Sequence, residues 1–274
     1  MLCSKKGSIN LLPFFLNFKK MATTDLNIKG RVGDITFYKR GDKTIIRLNE
    51  GISRHQIKNM PNMINNRLNR REFVACSKTA SAIYTNFNKL LIEISLKYRI
   101  TKNNLVSLLR RVQQDLSYLP LGTRTIQISS VLFNYSFSQI LFNDIAKMPI
   151  IYKATTTNIN IKVPKFNPNL LITAPTGATH YRLIFSIELM ENVTYNTTTK
   201  NFNRPEIKYK ETQYGIYQKL KPPLTVEKFV FFYNYIENCN VILAVGIAFY
   251  TENGGLYTNL YTDNGAKILD VFNF

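Results

Sequence analysis

NVILAVGIAFYT, residues 240–251, is an almost uninterrupted apolar run, and GLYTNLYT follows it after the turn Asn253-Gly254-Gly255. A Gly-containing turn between two β-favouring runs is typical of a β-hairpin. A second turn, Asp263-Asn264-Gly265, precedes the terminal run AKILDVFNF. The segment therefore predicts antiparallel strands that are joined by short turns.

Similar β-favouring runs occupy the rest of the C-terminal half. Tyr, Phe, Thr, Ile and Val dominate them, and these residues suit a pleated, half-buried surface. Polar turns separate the runs, which read TIQISSVLFNYSFSQILF, IIYKATTTNINIKV, NLLITA, THYRLIFSIELM, EIKYKETQYGIYQKL and KFVFFYNYI. Many short strands with few helices predict an antiparallel β-sandwich of jelly-roll-like or immunoglobulin-like type over residues 123–274.

The N-terminal half predicts a different architecture. Residues 29–50 have the alternation of a β-hairpin with its turn at Arg40-Gly41-Asp42. From about residue 62 to 99 the apolar period becomes helical, and a second helix is predicted from an N-cap at Thr101 to about Leu119, before Pro120 and Gly122. One stripe should face the core on the first helix: Ile83, Phe87, Leu90, Leu91 and Ile94.

These patterns predict an α+β fold with three parts. Residues 1–28 are expected to be an N-terminal extension, 29–122 a basic hairpin plus a helical hairpin, and 123–274 the antiparallel β-sandwich. Residues 1–20 contain a short apolar run between lysines, but the run is too short to span a bilayer. We expect translation to begin at Met21; a weak export signal is the alternative interpretation of residues 1–20.

Charge is distributed very unevenly along the chain. Residues 1–124 contain 23 Lys/Arg and 7 Asp/Glu, a net charge of +16, whereas residues 125–274 contain 13 and 10, a net charge of +3. A strongly basic region beside a nearly neutral one favours two roles, in which one part packs and the other meets an anionic partner.

The basic residues of the predicted helices form the candidate binding site. Arg67, Arg70, Arg71 and Lys78 fall near one face of the first helix. Arginine forms bidentate contacts with phosphate, and Tyr38, Tyr84 and Tyr98 lie among these charges, where they are candidates for stacking on bases. The alternative is a solvated cationic helix face with no partner. We predict that nucleic acid or another anion is bound by Arg67, Arg70, Arg71, Lys78, Arg110, Arg111, Lys39 and Arg40.

The sequence carries no recognisable catalytic or metal-binding pattern. His180 begins an apolar strand and is interpreted as structural, and His55 lies in a linker. Cys3, Cys76 and Cys239 have no spacing typical of a zinc site or a disulfide framework, so we expect reduced, buried thiols. No catalytic residue, metal ligand or cofactor is therefore predicted, and the chain is interpreted as a non-enzyme.

The chain resembles an uncharacterised family of Bacteroidota proteins. The resemblance rests on the pattern G-x-[IV]-G-[DN]-[IV]-x-[FY]-Y-K at Gly30–Lys39, on the segment His55–Ala80 and on Ile242–Leu269. It implies a helix-plus-sandwich architecture, a bacterial, phage or mobile-element source, and a start at Met21. The family has no established activity, so the resemblance assigns no functional residue.

Three functions are consistent with these observations. The first is a non-enzymatic structural or assembly protein, oligomeric and of phage or mobile-element origin, with its basic region facing nucleic acid or an acidic partner. The second is a stand-alone nucleic-acid-binding protein. The third is a secreted or cell-surface β-sandwich binding module, which requires residues 1–20 to act as an export signal. A cytoplasmic or virion location is favoured for the first.

Overall fold

A computed structural model describes residues 21–24, 28–48, 52–94, 99–128, 132–138, 140–221, 225–261 and 263–274. The chain divides into two compact units, one that ends at Met63 and one that comprises Ile64–Phe274. The predicted hairpin thus lies in a different unit from the helices, whereas the sequence grouped them in residues 29–122.

The N-terminal unit contains a four-stranded antiparallel sheet. Its strands are β1 (Met21–Thr24), β2 (Gly30–Val32), β3 (Ile35–Arg40) and β4 (Lys43–Leu48), in the order β1-β4-β3-β2. The hairpin turn between β3 and β4 is as predicted, since Arg40 pairs with Lys43. The sequence pattern missed the turn at Gly33-Asp34, which divides the predicted first strand into β2 and β3. It also missed β1, which lies in the predicted extension.

A short helical segment completes this unit. Helix α1 (Arg54–Asn59) begins with a capping box, in which Ser53 and Gln56 each accept a hydrogen bond from the other's backbone N–H. His55 is exposed on this helix. A 3₁₀ turn, Pro61–Met63, follows it.

Two long strands form the centre of the second unit. They are β7 (His180–Glu191) and β13 (Cys239–Asn253), which pair antiparallel over twelve residues. Side chains alternate between two cores along β13: Leu243 and Ile247 belong to one core, and Ala244 and Tyr250 to the other. Because both faces of the strand are covered, its sequence is almost continuously apolar rather than alternating.

Further strands extend the central sheet on both sides. The order is β10-β7-β13-β14, where β10 is Ile207–Tyr214 and β14 is Leu256–Asn259. Strand β11 (Gln218–Lys219) also pairs with β7, and β15 (Gly265–Phe272) also pairs with β13. The predicted hairpin between β13 and β14 is confirmed, because Asn253 pairs with Leu256 across Gly254 and Gly255.

Helices cover one face of the central sheet. Helix α2 (Ile64–Asn86) continues with only a one-residue break into α3 (Asn88–Ile94), and α4 is Arg99–Asp115. The apolar stripe predicted from Ile83 to Ile94 is confirmed, since each of its five residues is at most 1% exposed. Gly246 of β13 permits the close approach of this layer, because a Cβ there would lie 2.6 Å from Ile94 Cδ1 and 2.7 Å from Leu90 Cδ1.

A three-stranded sheet covers the opposite face. Its strands are β5 (Ile151–Ala154), β6 (Asn158–Val163) and β12 (Glu227–Phe232), in the order β12-β6-β5. Inward side chains of the two sheets share one core, in which the rings of Phe185 and Phe229 lie 4.6 Å apart. The second unit therefore has three layers: helices, the central sheet and the three-stranded sheet.

Several predicted elements differ from the structure. The described parts of the run at 125–142 form isolated bridges at Ile126 and Ser136 and a short helix, α5 (Phe142–Ile145), instead of strands. NLLITA at 169–174 was predicted as a strand, but Pro168–Leu171 is helix α6. Helix α4 begins before Thr101 and ends at Asp115, so the predicted N-cap at Thr101 is wrong.

The coarse prediction of an α+β chain with an antiparallel, sheet-rich C-terminal half is confirmed. Strands β8 (Tyr195–Asn196) and β9 (Asn201–Phe202) pair as a small hairpin in the connection from β7 to β10. Among the described helices, none combines the length and the apolar character that a bilayer crossing requires.

Candidate anion-binding site

Helix α2 presents its basic residues on the face opposite the core. Arg67, Arg71 and Lys78 follow one another at intervals of four and seven residues, which places them in a single stripe. Arg70 flanks this stripe and is exposed, as is Lys78. Cys76 and Ile83 on the other side of the helix are fully buried. The amphipathic pattern of α2 therefore directs its charge outward.

The second wall of the site comes from a distant part of the chain. Residues 201–205, with the sequence NFNRP, comprise strand β9 and the three residues after it, and they line the site together with α2. The segment is held in place by Asn203, whose side-chain oxygen accepts from the backbone N–H of Thr194 at 2.6 Å and whose own N–H donates to Thr194 O at 3.0 Å. Arg204 is exposed at its tip.

A side-chain contact joins the two walls. Arg71 Nη1 donates to the Tyr195 hydroxyl at 3.1 Å, and the guanidinium lies 5.6 Å from the centre of the Tyr195 ring. Tyr195 also packs edge-on against Phe202, with ring centroids 5.5 Å apart. Arg71 is half-buried and held by these contacts, so part of its side-chain entropy is lost on folding rather than on binding a ligand.

The walls enclose an open groove of about 340 Å³. Its basic lining residues are Arg67, Arg70, Arg71, Lys78 and Arg204, and no carboxylate is among the described residues that line it. Five basic side chains that line the same groove raise the local positive potential, which attracts anions. We call this site the cationic groove.

Arg110 has a structural partner instead. The carboxylate of Glu72, which is fully buried in α2, accepts from Arg110 Nη1 and from the backbone N–H of Gly122 at 2.7 Å. Arg124 Nε lies 3.9 Å from Glu72 Oε1, the oxygen that also accepts from Gly122. Arg110 also donates to Asn69 at 2.7 Å. This network joins α2, α4 and the turn that follows α4.

Gly122 is required in this network for two reasons. Its φ of +88° lies in the left-handed region, and a Cβ would approach Leu68 Cδ2 to 2.6 Å. The sequence predicted Gly122 only as a helix stop. The structure adds that its backbone N–H satisfies a buried carboxylate.

The other predicted site residues do not line the cationic groove. Arg111 is exposed on α4, and Lys39 and Arg40 are exposed at the end of β3 in the N-terminal unit. Tyr84 is buried and hydrogen-bonded to Tyr135 at 3.1 Å, so it is not placed to stack on a base as the sequence suggested. Tyr38 is 37% exposed, and Tyr98 lies outside the described residues.

Arg204 and Tyr195 were not among the site residues predicted from the sequence. They lie more than a hundred residues beyond α2 in the nearly neutral half, within the polar stretch YNTTTKNFNRP. Their role depends on the return of the chain from β7 to β10, which no local pattern predicts. An isolated Arg-Pro after a polar hairpin was the only available signal.

The two described cysteines and His180 are buried. Burial raises the pKa of the Cys76 thiol to about 12, and the thiol donates to Gln113 at 3.3 Å. Cys239 is also a free, buried cysteine, and Cys3 lies outside the described residues. His180 is buried with Nδ1 2.9 Å from the Thr179 hydroxyl, in agreement with its structural interpretation.

Comparisons of the chain with protein-family models, with curated proteins and with solved structures found no match. The resemblance to the Bacteroidota family is therefore still a prediction, and any functional argument depends on the geometry of the chain itself.

Proposed function

We propose that this protein is a non-enzymatic structural or assembly protein whose cationic groove binds the phosphate backbone of a nucleic acid. One observation carries the proposal: five basic side chains from two distant segments line one groove, with no carboxylate among the described lining residues. Binding of phosphates to such a surface releases condensed counterions, which favours association.

The shape of the site favours a polyanion over a single small anion. Arg67 and Lys78 are eleven residues apart on α2, which corresponds to about 16 Å along the helix axis. A row of that length matches several consecutive phosphates, since B-DNA carries one phosphate per about 3.4 Å of each strand. Guanidinium groups dominate the row, and their planar donor pattern suits phosphate oxygens.

Salt-dependent binding tests the proposal. The triple variant Arg70→Ala/Lys78→Ala/Arg204→Ala removes three exposed groove cations. The control Lys89→Ala/Lys147→Ala/Lys165→Ala removes three exposed cations that do not line the groove. Fluorescence anisotropy with labelled single-stranded and duplex oligonucleotides gives the affinity of each protein between about 50 and 200 mM salt.

The groove variant should show a shallower salt dependence than the control. Loss of three phosphate contacts should reduce the slope of log affinity against log salt by about 2 for single strands and about 3 for duplex. Equal slopes for the two variants would contradict the proposal. Binding of the unmodified protein to polyglutamate, with no binding to either oligonucleotide, would instead indicate that the groove binds an acidic protein.

Light scattering after size exclusion tests the assembly part of the proposal. We expect oligomers whose population grows with protein concentration. A strict monomer that still binds oligonucleotides would support a stand-alone nucleic-acid-binding protein. The proposal has two further parts. We propose a source in a phage or mobile element. We also propose that the β-rich half is a jelly-roll-like or immunoglobulin-like sandwich, which the core shared by the two facing sheets supports.

A further inference from the structure

The outer face of the three-stranded sheet carries a second concentration of positive charge. Its outward side chains include Lys153 of β5, Lys162 of β6 and Lys228 of β12, and all three are exposed. They border a shallow cavity of about 270 Å³, and no carboxylate is among the described residues that line it. None of the salt bridges found between described residues involves these lysines.

Two of the lysines lie directly opposite each other. Lys162 pairs with Lys228 in the register of β6 and β12. Like charges at directly opposed positions destabilise a sheet, so this arrangement lowers the stability of the protein unless an anion lies between them. The opposed lysines therefore reduce folding stability but favour the binding of an anion.

Aromatic surface lies at the other end of the same face. Phe232 is 70% exposed, although its neighbour Phe231 is fully buried. It lies four residues beyond Lys228 on β12, which corresponds to about 13 Å along the strand. Phe232 borders another open cavity, of about 600 Å³, which is also lined by Tyr209 and Asn234.

We propose that this outer face binds single-stranded nucleic acid, with phosphates on Lys153, Lys162 and Lys228 and an unpaired base against Phe232. Single-strand binding surfaces combine cations that follow the backbone with exposed aromatic rings on which bases stack. Asn160, whose amide nitrogen donates to Asn158 Oδ1 at 2.7 Å, lies on the same surface between the two ends. A base in the cavity beside Phe232 also meets the Asn234 amide.

This surface is separate from the cationic groove. The groove is on the helix layer, and the lysine face is on the three-stranded sheet, with the central sheet between them. Both surfaces are proposed to bind nucleic acid, but one can bind it without the other. Variants of both surfaces therefore separate the two proposals.

Photo-crosslinking to a bromodeoxyuridine-substituted single strand, followed by peptide mapping, tests the inference. The full chain should crosslink at the peptide that contains Phe232. Lys153→Ala/Lys162→Ala/Lys228→Ala should abolish this crosslink, whereas the groove variant Arg70→Ala/Lys78→Ala/Arg204→Ala should retain it. In anisotropy measurements Phe232→Ala should weaken single-strand affinity about five-fold to 100-fold. The control Phe133→Ala, at another exposed phenylalanine, should not.

The other outcomes distinguish failure of this inference from failure of the proposed groove function. Wild-type affinity of the Phe232→Ala variant, or crosslinks confined to α2 and residues 201–205, would leave only the groove as a binding site. Loss of binding to phosphatidylserine vesicles in the triple lysine variant, with unchanged oligonucleotide affinity, would assign the face to a membrane. Loss of crosslinking in the lysine variant but unchanged salt dependence in the groove variant would reject the proposed groove function and keep this inference.

Discussion

Arg110 and Arg70 should have opposite roles, although the sequence placed both in one binding site. Arg110 contacts the buried carboxylate of Glu72, and its side chain is 13% exposed. Arg70 is exposed in the cationic groove. We therefore expect Arg110→Ala to reduce stability without reducing oligonucleotide affinity, and Arg70→Ala to do the reverse.

The magnitude follows from the environment of Glu72. Its carboxylate is 0% exposed, and after removal of Arg110 it retains the Gly122 N–H and a more distant Arg124, 3.9 Å away. Breaking a buried ion pair by removing one partner costs about 3–5 kcal/mol. Since Arg124 partly compensates, we expect a loss near the lower end of that range for Arg110→Ala. Glu72→Gln leaves two poorly exposed guanidinium groups without their carboxylate and should cost at least as much.

Urea denaturation followed by far-UV circular dichroism measures this loss. With a denaturant dependence of about 1–3 kcal/mol per molar urea, a loss of about 3 kcal/mol shifts the midpoint by about 1–3 M. The slope should not change, because the surface exposed on unfolding is the same. A change in stability below about 1 kcal/mol, or a loss of oligonucleotide affinity equal to that of Arg70→Ala, would refute the assignment of Arg110 to structure.

Three further changes should have measurable effects. Gly246→Ala should lower the free energy of unfolding by about 1–3 kcal/mol, because its Cβ would overlap Ile94 and Leu90; a thermal melt that matches wild type would show that the helix layer is not tightly packed there. Burial raises the pKa of Glu188 well above its usual 4.5, so the folded state holds a proton that the unfolded state releases as pH rises above that value. The free energy of unfolding should therefore fall with rising pH, and it should fall less steeply in Glu188→Gln than in wild type. Urea titrations at several pH values measure this dependence, and the same dependence on pH in both proteins would contradict the burial of the Glu188 carboxyl. Cys76, with a pKa of about 12, should resist iodoacetamide at neutral pH until the protein is unfolded; rapid alkylation of its peptide in native buffer would contradict its packing against Gln113.

The sequence predicted those features that depend on local periodicity. The apolar stripe of α2 and α3 and the basic stripe on the opposite side of α2 both follow from a period near 3.6 residues. The hairpins at Gly41 and Gly254 follow from turn residues. Each of these signals is contained within about twenty residues, so no knowledge of the tertiary arrangement is needed to find it.

The remaining features depend on contacts between distant segments. The NLLITA run has strand-like composition, but Pro168 begins a helical turn there and Asn167 caps it by accepting from the Asn169 N–H. Composition does not distinguish these outcomes, because a short apolar run suits a buried turn as well as a strand. Glu72 similarly has the appearance of an ordinary helix-surface carboxylate until its partners, 38 and 50 residues away, are known.

The unequal distribution of charge has a structural cause. The central sheet is buried on both faces, so β13 carries a single charged side chain, Glu252, and β7 carries three, Arg182, Glu188 and Glu191. Most of the charge therefore lies on the outer layers, and on α2 the buried carboxylate, Glu72, is matched by Arg110 and Arg124. Lys153, Lys162 and Lys228 form no salt bridge with another described residue. We therefore expect these three lysines to find their charge partner in a polyanion, as we propose for the lysine face.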